Sequence, residues 1–248
     1  MASKNPLRKL LRMTGFDLLR VDSLDYLERA AQLYDTENQL VKALHDRDIN
    51  HVLDVGGNVG VYGLKLRGKN YTGKITSFEP IPSVYDKLEK CAANDSNWDT
   101  QCIALGDQQE TREINVSNNT VSSSFLGMNK KHTDAAPESR YESKVEVTVK
   151  TLDGIWSELV KANEKVFMKI DVQGFEKEVL AGASDSLKKI QGLQLECSFA
   201  SLYEGEMLFP EMYQWLQNEG FTLWLMTPTF IEPKTKQLLQ VDAVFFRE

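Results

Sequence analysis

The ten residues from His51 to Gly60, His-Val-Leu-Asp-Val-Gly-Gly-Asn-Val-Gly, limit this chain more than any other stretch. Val52, Leu53 and Val55 make a short apolar run, as in a strand buried within an α/β sheet. Gly56, Gly57 and Gly60 then predict a sharp turn that brings backbone N–H groups close to a ligand, followed by a helix opening near Gly60. A second run, Lys74 to Phe78, ends on Glu79, where the acid of an α/β nucleotide fold hydrogen-bonds a ribose. The spacing excludes two nucleotide classes. Counted from Gly56, the third and sixth positions of a dinucleotide fingerprint are Asn58 and Val61, and no Lys-Ser or Lys-Thr follows to make a P-loop.

Length matters next. A chain of 248 residues with 42% hydrophobic content can build one large α/β domain plus an extension. The expected division is a helical N-terminal extension over 1–49 and a main domain over 50–248, within which 108–150 is an insertion. No apolar run reaches membrane-spanning length and no signal peptide is visible, so a cytoplasmic protein is expected. Cys91, Cys102 and Cys197 are odd in number, lack metal or redox spacing, and read as buried, reduced thiols. The net charge of −7, with no basic stripe in the main domain, argues against a nucleic-acid partner. Five basic side chains against Asp17 leave residues 1–20 at +4 and the remainder at −11. Together with Leu7, Leu10, Leu11, Leu18 and Leu19, this basic segment reads either as a weak membrane-surface helix or as a helix packed on the domain. Gly15, which weakens a continuous helix, favours packing.

Taken in order, residues 24–49 show an interrupted helical stripe with Asp35-Thr36-Glu37 as a cap between two helices. That segment either covers the mouth of the cofactor site or packs plainly on the domain. After the glycine turn come a helix to about Arg67, a strand Lys74–Phe78, a helix Ser83–Ala93 and a third strand Gln101–Leu105. This alternation predicts a parallel sheet with right-handed crossovers. Two period-two runs, Arg112–Val116 and Val145–Val149, flank a polar segment read either as a binding lid or as a disordered excursion. A fourth strand, Val166–Asp171, leads into a helix expected to run on toward Ile190. Leu193–Glu196 is the fifth strand, Leu208–Asn218 a helix. Phe221–Leu225 and Val241–Phe246, joined without a helix, predict an antiparallel edge.

The motifs, taken together, resemble one family. Asp54-Val-Gly-Gly-Asn-Val-Gly60, Phe78-Glu-Pro80, Ala104-Leu-Gly-Asp107, Lys169-Ile-Asp-Val-Gln-Gly-Phe-Glu176 and Leu195-Glu196 are similar, in order and spacing, to the FkbM family of S-adenosylmethionine-dependent methyltransferases. The resemblance covers roughly residues 50–247. It implies a Rossmann-like class I methyltransferase fold, a mostly parallel seven-stranded sheet with an antiparallel edge strand. It implies S-adenosyl-L-methionine as cofactor and O-methylation of a hydroxyl on a saccharide or glycoconjugate. By resemblance, Asp54, Gly56, Asn58 and Gly60 line the methionine side, Glu79 holds the ribose, and Ala104 and Leu105 lie near adenine; Gly57 and Pro80 complete the cofactor set. The family commonly carries Glu-Gly-Ala-Glu where this chain has Gln173-Gly-Phe-Glu176, so Gln173 is not expected to act as a base.

Methyl transfer to an alkyl hydroxyl needs alignment, exclusion of water and a base. Ligands of open parallel sheets sit beyond the carboxyl ends of the strands, so Asp171 and Glu196 are the candidate acids, with Asp171 preferred. Glu176, in the first turn of the next helix, is placed to cap it. His132 has a suitable ordinary pKa and is carried as a third candidate. No tight acidic cluster indicates a metal, although a divalent ion held by Asp171, Glu196 and Asp242 is an alternative route to an activated hydroxyl. A nicotinamide-dependent sugar oxidoreductase is the competing enzyme class, but the chain has no Tyr-x-x-x-Lys pair. A catalytically silent binding module is the third reading; intact acids at the strand ends weigh against it.

Overall fold

The computed structural model describes residues 35–248. The readings for residues 1–20 and 24–34 lie outside this range. The chain divides into two compact units, residues 1–40 and 41–248. Helix α1 (Thr36–Asp46) opens the described part, with the Asp35 carboxylate accepting the Asn38 amide, which is the cap expected there.

The second unit is built on seven strands. They are β1 (His51–Val55), β2 (Lys74–Phe78), β3 (Trp98–Gln101), β7 (Val166–Ile170), β8 (Ile190–Ser198), β9 (Phe221–Ile231) and β10 (Leu238–Arg247), in the order β3-β2-β1-β7-β8-β10-β9. The pairings among the first five of that order are parallel. β10 runs antiparallel to both of its neighbours, so the reversed strand lies one in from the edge strand β9. A three-stranded sheet stands apart: β4 (Ala104–Leu105), β6 (Tyr141–Lys150) and β5 (Glu110–Ser117), in that order. Helices α2 (Val61–Gly68), α3 (Pro82–Ala92), α4 (Lys130–Ala135), α5 (Leu152–Leu159), α6 (Glu176–Ala181) and α7 (Phe209–Asn218) complete it. Among the described residues no helix is long and apolar enough to cross a membrane.

The two faces of the large sheet differ. Leu53, Val55, Met168, Ile170, Leu193 and Leu195 join the main core with residues of α5, α6 and α7, as the alternation of strand side chains requires. On the alternate positions a polar row crosses five strands in register: Thr100, Ser77, Asp54, Lys169 and Gln194. Its members are satisfied sideways and from above. The Ser77 hydroxyl donates to Asp54 (2.8 Å), Trp98 Nε1 donates to Ser77 (3.0 Å), and Tyr62 of α2 donates to Gln194 (3.1 Å). Buried polar groups are tolerated only when paired in this way.

Three expectations are corrected. The third strand is Trp98–Gln101, not Gln101–Leu105: the chain leaves the sheet after Gln101, and Ala104 and Leu105 pair instead with Val149 and Lys150 of β6. Cys102, in that jog, is therefore exposed, while Cys197 is buried and Cys91 partly so. The helix after β7 stops at Ala181 rather than continuing toward Ile190. There the Asp153 carboxylate captures the amides of Asp185 (3.0 Å) and Ser186 (2.7 Å), which diverts the backbone from helical bonding.

Residues 118–140, between β5 and β6, are packed rather than free. Ser124 bridges back to Asn115, Met128 bridges to Tyr203, and backbone bonds join Asn129 to Leu202 (2.8 Å) and Glu204 to Gly127 (2.8 Å).

Candidate functional site

The ends of β1 and β2, the β4 jog and the chain after β7 surround a cavity of about 670 Å³, part of it open to solvent. Its walls include Gly56 and Asn58, Glu79 and Pro80, and Asp171 to Gln173, with the Asp171 backbone packed close against Gly56. Ile81, Ile103, Ala104, Leu105, Phe125 and Phe175 supply an apolar end.

The glycine turn works differently from the sequence expectation. The amides of Gly56 (3.0 Å) and Gly57 (2.8 Å) both donate to the Phe78 carbonyl, and the Asn58 amide donates to Glu79 Oε2 (3.1 Å). The loop therefore offers shape rather than free donors, which suits a ligand without a pyrophosphate. Gly56 has φ +76°, and a Cβ there would collide with the Asp171 carbonyl oxygen. Close approach of the β1 and β7 ends, not ligand contact alone, requires glycine.

Glu79 is nearly enclosed, and its carboxylate takes the amides of Asn58 and Ile81 (2.8 Å). Burial drives its pKa up to about 7 despite those two amides and the more distant Lys169. Each oxygen keeps a second lone pair for a hydroxyl in the cavity.

Lys169 is the residue whose role sequence reasoning missed. Its ammonium donates to the Gly56 carbonyl (2.8 Å) and lies 3.2 Å from Asp54 and 3.6 Å from Asp171. Burial opposes its charge, but Asp54 and then Asp171 outweigh burial and hold the ammonium above its usual range. The signal was present: a lone lysine inside Val-Phe-Met-Lys-Ile, a run that reads as buried, has to be paired.

Several predicted residues meet here. Gly56, Asn58, Glu79, Pro80, Ala104, Leu105 and Asp171 all line the cavity. Asp54, Gly57 and Gly60 are buried and do not line this cavity. Asp54 serves as the partner of Lys169 and Ser77, because the alternation of β1 turns its side chain into the sheet's polar row. Glu196 sits within β8, opposite Asp242 of β10, not at the strand's tip. His132 lies in α4. It is buried against Tyr203 and Phe230, away from the cavity, and burial lowers its pKa to about 4. That placement removes it from proton transfer at the cavity.

Asp171 and Gln173, both of the lining, are joined to Glu196, which does not line the cavity. Gln173 Nε2 donates to Asp171 Oδ1 (2.8 Å) and to Glu196 Oε2 (2.6 Å), and Gln240 Nε2 also reaches Glu196 Oε2 (2.9 Å). Burial, then the charges of Asp171 and Asp242, raise the Glu196 pKa well above the carboxylate range. Glu176 holds the turn below by accepting the Val172 (3.1 Å) and Gly174 (3.2 Å) amides, so it braces the loop before its helix. No group of three or more His, Cys, Asp or Glu suited to holding a metal ion occurs among the described residues.

A mostly parallel sheet with β10 reversed, a glycine turn after β1 and an acid after β2 make a Rossmann-like α/β fold. The methyltransferase FkbM domain matches residues 54–223, more than half of the chain, and the chain belongs to that family. The cofactor of such a protein is S-adenosylmethionine. Among curated proteins the chain is similar to Methyltransferase 1 of Beauveria bassiana, with 22% identity covering 78% of this chain and 81% of that one. It is also similar to the 2-O-methyltransferase NoeI of Sinorhizobium fredii, with 25% identity covering 63% and 66%. Among solved structures, the SAM-bound magnesium protoporphyrin IX methyltransferase of Synechocystis aligns over 99% of this chain and 92% of its own, at 12% identity and a TM-score of 0.46.

Proposed function

We propose that this protein is an O-methyltransferase that acts on a hydroxyl of a saccharide or glycoconjugate. The observation that carries the reading is the carboxylate of Asp171. It lines the cavity, its side chain is 36% exposed, and it is held from behind by Gln173 and Lys169.

The cavity fits the cofactor by its chemistry. The apolar end around Ile81, Ile103 and Leu105 suits adenine, Glu79 suits ribose hydroxyls, and the Gly56–Asn58 turn leaves room for the methionine part. Bound there, S-adenosylmethionine supplies an electrophilic methyl group on sulfur. Asp171 receives the hydroxyl proton and orients the acceptor oxygen in line with that methyl group. The two oxygens of the Asp171 carboxylate also match neighbouring hydroxyls of a sugar, from which they can accept hydrogen bonds. Similarity to a 2-O-methyltransferase supports oxygen as the acceptor atom.

The test is transfer of a labelled methyl group to a panel of glycans, glycolipids, phenols and amines, each with and without a chelator. The reading expects base-stable label in glycans, unchanged by the chelator, and its loss in Asp171→Asn while donor binding persists. Label confined to amines, or full turnover by Asp171→Asn, would overturn it. Loss of transfer on chelation, restored by magnesium, would favour metal assistance.

A further inference from the structure

Gln173 occupies an unusual position for a residue with a side chain. Its φ is +55°, in the left-handed region, and Gly174 follows at +93°. A glycine at 173 would relieve the backbone but would supply no amide. The Ser124 hydroxyl fixes the conformation by donating to the Gln173 carbonyl (2.6 Å). Strain kept in this way points to a task for the side chain.

That side chain makes three contacts that use the whole amide. Its NH₂ has two protons, one for Asp171 and one for Glu196, and its Oε1 accepts from the Tyr203 hydroxyl (2.6 Å). The tyrosine sets which end faces the acids; reversed, the amide oxygen would lie against two carboxylates.

We propose that Gln173 is a positioning residue of the acceptor site, holding Asp171 and Glu196 apart with two neutral hydrogen bonds so that Asp171 stands alone as the proton acceptor. Two carboxyl groups in direct contact would share one proton and titrate as a pair. An interposed amide hydrogen-bonds to both, so neither acid has to share a proton with the other. The groups facing this cluster are Lys169 beside Asp171, Asp242 opposite Glu196, Glu176 beneath the turn and Tyr203 above. Of these only Lys169 is a cation, and it meets Asp171 on the oxygen that Gln173 leaves open. The inference rests on the reading of Asp171 as the acceptor-side acid.

The test needs no acceptor. S-adenosylhomocysteine and sinefungin differ at the transferred methyl, where sinefungin carries a charged amine. Their affinities are measured calorimetrically from pH 5.5 to 8.5 in wild type, Gln173→Glu, Gln173→Leu and Tyr203→Phe. In wild type the preference for sinefungin reads the negative charge that faces the methyl position. Gln173→Glu and Gln173→Leu should make that preference fall about tenfold toward the acid end of the range relative to wild type: both remove the hydrogen-bond donor to Asp171, and Gln173→Glu adds a carboxyl beside it. At each pH, S-adenosylhomocysteine affinity of the variants should stay within about threefold of wild type. Tyr203→Phe should act in the same direction by less. If Gln173→Glu fails to fold, the other two variants decide. A sinefungin preference that follows the wild-type course in the variants, with S-adenosylhomocysteine still bound, would overturn the role of Gln173. Failure of wild type to bind S-adenosylhomocysteine would instead overturn the proposed function, and this inference with it.

Discussion

At the scale of single residues, Glu79 makes the sharpest claim. Its pKa near 7 comes from burial, and in the proposed site the ionised form would be the one that accepts two ribose hydroxyls. Affinity for S-adenosylhomocysteine should therefore weaken as pH falls below about 7, approaching tenfold per unit. Glu79→Gln should bind about tenfold to a hundredfold more weakly at pH 8, the worth of a charged hydrogen bond, and lose that pH dependence. Titration calorimetry at pH 6 and 8 checks both; equal affinity of the two proteins at pH 8 would remove Glu79 from the site. Glu79 was legible in the sequence because its place after a second strand is set by local order. Lys169 and Gln173 were not assigned their roles. Their partners, Asp54, Tyr203 and Glu196, come from distant parts of the chain, and which of them meet is decided by sheet register.

At the scale of elements, the segment between β5 and β6 had two sequence readings, and its polarity favoured neither. Its order comes from long-range bonds: Ser124 to Gln173, Asn129 to Leu202, Glu204 to Gly127. Hydrogen exchange should find the amides of Ser124, Asn129 and Glu204 protected, with exchange concentrated near the exposed Val121. Uniformly fast exchange across 118–130 would contradict the packing described. Ser124→Ala should cost about 1–3 kcal/mol, since it leaves the Gln173 carbonyl and the Leu126 amide without a partner, and chemical denaturation measures it. The parallel sheet was largely readable because β1, β2, β7 and β8 are short runs that carry apolar residues, separated by helices. The two-residue jog to β4 was not, since periodicity carries no signal over so short a span.

At the scale of the molecule, buried acids give an unusual pH response. Burial raises Glu79 to about 7 and Glu176 to about 8, and Glu196 is raised as well. Each binds a proton in the folded state at a pH where the unfolded chain has released it. Their stability contribution is complete below the unfolded carboxylate pKa and is lost as pH rises through the folded values. Below about pH 6.5 the lowered pKa values of His51 and His132 act in the opposite direction, so the clean window lies above it. From pH 7 to 8.5 the unliganded protein should lose stability, at up to about 1.4 kcal/mol per pH unit for each acid still titrating. Denaturant midpoints at pH 7 and 8.5 decide this; a higher midpoint at pH 8.5 would show that the acids are ionised without penalty.

The central claim is that the methyl donor lies over the strand tips between the Gly56–Asn58 turn and Glu79, and a crystal structure with S-adenosylhomocysteine tests it most directly. The account predicts ribose hydroxyls on the Glu79 carboxylate, adenine among Ile81, Ile103 and Leu105, and sulfur turned toward Asp171. A ligand bound elsewhere, or a ribose that makes no contact with Glu79, would contradict it.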